Sequence, residues 1–289
     1  MRDRRLKWLF VSPATLFVVL AMVFPIAYTV RLSFQSWSGS LTREPRWVGL
    51  DNYRYLLADD RFVDAMVRTI VFTAGAATAE LALGLAIALL LRRPFLGRGL
   101  VRTVILLPLL ATPVAIGMAW LLMLNPSVGA VNNLLDGLGI PPQPWLSSTR
   151  SALPTLMLID VWQWTPMMTL LCLAGLATLP ADTYEAAAVD GANAWQRFRS
   201  ITVPLLGPTM TAAVLLRSID ALKTFDVIYA MTGGGPVYQS ETLNIYGYLT
   251  GFEQFQFGRA SAIVVCFFLL VLLFSIVLAK LNTRWGVLR

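Results

Sequence analysis

The sequence contains no histidine, only two cysteines and, across 289 residues, only 13% charged side chains. Without histidine there is no imidazole acid–base chemistry and no histidine metal site. The cysteines frame no disulfide network, because Cys172 and Cys266 both lie in apolar runs, where a thiol packs as a small buried hydrophobe. So little charge beside 57% hydrophobic residues excludes a soluble domain. It predicts an all-α, polytopic membrane protein with residues 1–289 as a single transmembrane domain. A phosphate-binding loop is also missing. The run T-G-G-G-P at 232–236 lacks G-K-[ST], so no catalytic residue, metal ligand or cofactor site is assigned to this chain.

What is present begins with six apolar runs, at about 8–30, 69–91, 103–124, 153–179, 205–231 and 260–281. Each is long enough to cross roughly 30 Å of hydrocarbon at about 1.5 Å per residue of helix. The first is longer than the apolar core of a signal peptide and has no small-x-small cleavage site, which predicts a retained helix, kinked at Pro25. Residues 33–64 are polar and predict an extramembrane segment with a surface helix in G-L-D-N-Y-R-Y-L-L.

Six spans put both termini on one side. That side holds thirteen lysines and arginines, among them Arg2, Arg4, Arg5, Lys7, Lys280, Arg284 and Arg289; the other holds eight, among them Arg31, Arg43 and Arg46. The bias places both termini in the cytoplasm. The net charge of +7 collects at these boundaries and forms no aromatic-interleaved patch, so it implies membrane lipid and no nucleic acid.

The most informative polar stretch is the loop at 180–204, which contains D-T-Y-E-A-A-A-V-D-G-A-N-A-W-Q-R-F-R-S-I-T-V-P. Asp182 and Glu185 have capping-box spacing, and Ala186, Ala187 and Ala188 favour helix. Gly191 is expected to end that helix with positive φ, and Asn193 to cap a second short helix through Trp195 and Phe198. Alanines leave the first helix without bulk, so a partner surface can approach its backbone.

Ionisable residues inside spans default to a functional reading. Arg217, Asp220, Lys223 and Asp226 recur every three residues in the fifth run, so neighbours can pair along the helix. Counting from Leu205 puts Arg217 near mid-bilayer and Asp226 near the outer surface, where it is expected to hold the loop of Gly233, Gly234, Gly235 and Pro236, a flexible turn. The fourth run adds Asp160, Trp162, Gln163, Trp164 and Thr165. Aromatic faces with hydrogen-bonding groups suit a carbohydrate pathway, for which the candidates are Asp160, Trp162, Gln163, Thr165, Arg217 and Asp220. The same groups also suit interfacial anchoring and charge pairing within a bundle. Glu80 is expected to make a helix-to-helix hydrogen bond.

The spacing E-A-A, three residues, Gly, nine residues, I-x-V-P resembles the cytoplasmic EAA loop of ABC importer permeases, through Glu185, Ala186, Ala187, Gly191, Ile201 and Pro204. With F-P-I-A-Y-T-V-R-L-S-F, G-L-D-N-Y, R-S-I-D-A-L-K-T-F-D and T-G-G-G-P, nearly the whole chain is similar to the carbohydrate branch, of the maltose-permease-F and glycerol-phosphate-permease-A type. The resemblance implies a permease subunit of an ATP-driven sugar importer in the inner membrane. Its partners would be a second homologous permease, a dimer of ATPase subunits carrying ATP and magnesium, and an extracytoplasmic solute-binding protein.

It further implies that 180–204, with Asp190 among its residues, couples to the ATPase, and that Gly233 to Pro236 meet the binding protein. The founding maltose permease has extra N-terminal spans and a large outer domain that this sequence does not show, so its regulatory contacts are not carried over. Glycerol phosphate, a polyol or an acidic sugar is the alternative solute, kept open by Arg217. A secondary transporter is the remaining alternative, and would have no need of the EAA-like loop.

Overall fold

A computed structural model describes residues 2–39 and 44–286, with side chains described from residue 10 to 280. Arg43 and Arg289, and the side chains of Arg2, Arg4, Arg5, Lys7 and Arg284, lie outside the described residues. The described residues are mostly helical, and the chain divides into two compact units.

The first unit comprises the described residues of Met1–Asp64 with Tyr246–Leu270. Its α1, Arg2–Ser33, runs through Pro13 and Pro25 as one helix and leaves Phe10, Phe17 and Phe24 exposed, as a lipid-facing helix does. Two short strands, β1 (Gln35–Ser36) and β2 (Arg46–Trp47), pair antiparallel. The surface helix is present as α2, Asp51–Leu57. The Asn52 amide holds it on the end of α1 by donating to the carbonyls of Ser33 (2.8 Å) and Gln35 (2.9 Å). Tyr246, from α12 (Leu243–Tyr248), donates its hydroxyl to Asp59 at 2.6 Å.

The second unit comprises the described residues of Ala65–Ile245 and Val271–Arg289. Most of α3 (Asp60–Arg92), together with α7 (Ala152–Ala177) and α10 (Val203–Leu222), forms its centre. These helices approach through small residues, as packed membrane helices do. A Cβ on Gly84 would lie 2.7 Å from Met168 Cβ and 3.0 Å from its carbonyl carbon, so α3 and α7 meet at a distance only glycine allows. Ala88, Cys172, Leu176 and Leu206 bury together below that contact.

Among the described residues, five helices are long and apolar enough to cross a membrane: Phe10–Ser33, Asp60–Arg92, Ala152–Ala177, Ala194–Leu222 and Phe257–Lys280, the last within α13 (Phe257–Gly286). The expected third span, at about 103–124, is not one helix. It is α4 (Arg98–Leu106) with a 3-10 turn at Leu107–Leu110, then α5 (Pro113–Met123) bent by 100°. Pro113 pushes Thr112 out of the helical region, to φ −69° and ψ 145°, which breaks the rod there. Counted as one crossing, the pair makes six. A short helix, α6 (Ala130–Gly137), follows.

The fifth span also differs from expectation. It starts at Ala194, inside the polar loop, and ends at Leu222 instead of 231. Lys223–Phe225 turn the chain, and α11 (Asp226–Thr232) is a separate helix packed on α5. Arg217 therefore lies five residues from the end of its helix, and Asp226 belongs to a different one.

Candidate functional site

The 180–204 loop is built from α8 (Ala181–Val189), a turn, α9 (Ala194–Arg197) and a π turn at Phe198–Thr202 that leads into α10. The expected Asp182–Glu185 capping box does not form, because α8 begins two residues earlier, with Pro180 at its N-cap. Asp182 then falls in the first turn, where a carboxylate still suits the helix dipole. Gly191 does end α8, at φ +78°. The Ala192 N–H bonds the Ala187 carbonyl (2.9 Å) and the Gly191 N–H the Ala188 carbonyl (3.1 Å), which together form a Schellman turn. Asn193 caps α9 in a reciprocal pair with Gln196, at 2.8 and 2.9 Å.

The second helix of the loop is not short: α9, the π turn and α10 form one continuous rod. Pro204 explains the π turn, because it has no N–H to return to the carbonyl four residues back, and Val203 bonds Phe198 instead. A Tyr184–Thr202 hydroxyl contact of 2.9 Å ties α8 to that rod. Glu185, Ala186 and Asp190 are exposed, and Val189 is 88% exposed. With no fully buried residue, α8 leaves a small-residue face exposed at the surface of this chain.

The buried polar site joins three helices. Arg217 of α10 is fully buried, and its Nε and Nη2 donate to Glu80 of α3 at 2.7 and 3.0 Å, with a further bond from Nη2 to Asp160 of α7. The Arg217 guanidinium also lies 5.0 Å from the Trp164 ring. Glu80 therefore makes the interhelical bond expected of it. Arg217 does not pair with Asp220 along its own helix; Asp220 pairs instead with Lys223 at 3.2 Å, half-exposed.

Above the triad lies a cavity of about 320 Å³, lined by Asp160, Trp164, Arg217, Asp220, Phe225 and Asp226, among others. Three of the six expected pathway residues meet there, and three do not. Trp162 points elsewhere and packs edge-on against Trp120, with ring centroids 5.4 Å apart. Gln163 is buried away from the cavity, and the Thr165 hydroxyl bonds its own helix at the Val161 carbonyl, 2.6 Å. Trp164 takes the aromatic place instead. At about 100° per residue, position 164 returns to the face of Asp160 while position 162 lies nearly opposite, so the helical period carried that distinction.

The loop after α11 is more ordered than a flexible turn. Gly233 caps α11 at φ +56°, and Ser240 closes the loop by bonding Thr232 Oγ1 (2.8 Å) and, through its N–H, the Gly234 carbonyl (3.2 Å). Asp226 sits exposed at the opposite end of α11, so Thr232 and Ser240, not Asp226, hold the loop. At its tip, Val237 and Tyr238 take φ +47° and +62°, a strained conformation for residues with side chains, and both are exposed. No sequence pattern marks that pair.

The chain belongs to the binding-protein-dependent transport system inner membrane component family, whose model matches residues 80–287. It is an integral inner-membrane permease subunit of the ABC importer class. The chain is 38% identical to the trehalose/maltose transport system permease protein MalF of Thermococcus litoralis, over 97% of this chain and 95% of that one. It is 36% identical to the trehalose transport system permease protein SugA of Mycobacterium tuberculosis, over 97% and 90% respectively. Its fold is similar to that of a chain in the crystal structure of a bacterial ABC transporter involved in alginate import, at TM-score 0.83 and 21% identity, covering 98% of each.

Proposed function

We propose that this chain is one of two permease subunits of an ATP-driven importer for a sugar or sugar derivative, coupled to separate ATPase subunits through the 180–204 loop. The observation that carries the coupling is the exposed α8, closed at its C-terminal end by the Gly191 turn, with Glu185, Ala186, Ala188, Val189 and Asp190 exposed. The loop belongs in the cytoplasm with both termini, in agreement with the excess of basic residues on that side. Motion at α8 passes into the bundle, because Tyr184 ties α8 to Thr202 and α9 continues as the fifth span, which carries Arg217 of the triad.

The sugar class rests on the named specificity of the trehalose and maltose relatives and on the cavity beside the triad. There the Trp164 ring and the Asp220 and Asp226 carboxylates offer a stacking face and acceptors for hydroxyl groups. Arg217 is occupied by two carboxylates and Lys223 is paired with the half-exposed Asp220, so an acidic solute would have to displace Asp220 from Lys223 or find its cation on another subunit. On the outer face, the loop from Gly233 to Pro236, extended by Val237 and Tyr238, receives the solute-binding protein.

The test is ATP-dependent uptake of labelled maltose and trehalose into proteoliposomes containing this chain, the co-purifying second permease and the ATPase, with loaded binding protein on the outer face. Uptake that requires both the ATPase and the binding protein is expected. Uptake by this chain with the ATPase left out would refute the reading.

A further inference from the structure

A second cavity, of about 620 Å³, opens where α3 meets the 180–204 loop. Arg92 and Arg93 come from the end of α3, and Arg197 from α9. No carboxylate lines it, and none of the three arginines forms an ion pair among the described residues. The Arg92 guanidinium lies over the Tyr184 ring at 4.8 Å, which fixes it in place without neutralising it. Three arginines lining one cavity with no carboxylate among its walls suit an anion, and the planar, multidentate guanidinium matches phosphate.

The rest of the lining says where that phosphate comes from. Leu89, Pro94, Trp195 and Phe198 make the remaining wall apolar, with the rings of Trp195 and Phe198 5.5 Å apart. Leu90 and Leu96, next to the arginines in sequence, are 70% and fully exposed, so the apolar surface of the span continues to the rim. A site for a soluble phosphate would not need a greasy wall open to the membrane. Tryptophan beside arginine at the end of a span is the composition of the headgroup layer.

We infer that this cavity binds the phosphate of an anionic phospholipid in the leaflet that faces the 180–204 loop. The phosphate sits among Arg92, Arg93 and Arg197, and the first carbons of the lipid lie along Leu89 and Phe198. This rests on the membrane placement of α3, and not on the coupling role of the loop.

The experiment uses the complex as it purifies, exchanged into nanodiscs with equal phosphatidylglycerol and phosphatidylcholine, then re-solubilised, washed and analysed for phospholipid retained per permease by mass spectrometry. Phosphatidylglycerol is expected in excess, by roughly fivefold for each arginine engaged. The excess should fall in the combined Arg93→Gln, Arg197→Gln variant and persist in Arg102→Gln, a control arginine outside the cavity. Equal retention of the two lipids, or an excess untouched by the combined variant, would overturn the inference. Displacement of the retained lipid by millimolar inorganic phosphate would assign the site to a soluble phosphate. Retention seen only after the ATPase subunits are stripped would assign the surface to a protein partner. If the combined variant fails to accumulate, the headgroup comparison on the unaltered complex decides alone.

Discussion

Replacing Arg217 by methionine keeps a long apolar stem and deletes the guanidinium, which tests the triad most severely. Three hydrogen bonds vanish, and Glu80 and Asp160, both at least 99% buried, are left with no cation between them. Removing one partner of a buried ion pair costs about 3–5 kcal/mol, and two stranded carboxylates place Arg217→Met at the upper end of that range. The triple variant Arg217→Met, Glu80→Gln, Asp160→Asn carries no stranded charge, so it should recover all but about 1–2 kcal/mol. Reversible unfolding in mixed detergent micelles, together with abundance in the membrane, measures both. A triple variant no more stable than Arg217→Met would mean that the three residues are not one coupled unit, and the triad would lose its place as the tie between α3, α7 and α10.

Gly191→Asn should be tolerated, and Gly191→Val should disrupt the loop by about 1–2 kcal/mol, because a Cβ there meets open space and only the left-handed φ resists it. Hydrogen exchange at the Ala192 amide reads the Schellman turn directly. Trp164→Ala should lower uptake with normal membrane abundance, whereas Trp162→Ala, which removes the Trp120 contact, should lower abundance and uptake together. Equal behaviour of the two would refute the placement of the cavity. Gly84→Val should destabilise the bundle by about 1–3 kcal/mol, since its side chain must displace the Met168 backbone; thermal unfolding checks it.

Legibility followed the range of the interaction. Local signals were readable: Gly191 and Asn193 act through bonds within six residues, and both form as their residue types require. The break in the third run was written in prolines, but both breaks were masked by hydropathy. Pro108 and Pro113 lie in a run apolar enough to pass for one span, and the turn at Lys223–Phe225 hides inside a similar run. Spacing along one helix gave the wrong partner for Arg217, because desolvation favours two carboxylates from α3 and α7, 137 and 57 residues away, over an exposed neighbour. Contacts of that separation leave no periodic trace in a single sequence. The strained tip at Val237 and Tyr238 is set by how the loop closes on Ser240, and residue type gave no sign of it.

The central claim is that α8 transmits ATPase action into the bundle, and it is tested most directly by stimulation of ATP hydrolysis by loaded binding protein in the reconstituted complex. Glu185→Ala removes an exposed carboxylate from α8, and Gly191→Asp places a side chain and a charge on the turn that ends it. Both variants are compared with the unaltered chain after native mass spectrometry has shown the same subunit stoichiometry. The account predicts assembled complexes in which stimulation is lost. Full stimulation in both variants would show that the loop is only a connection between two spans.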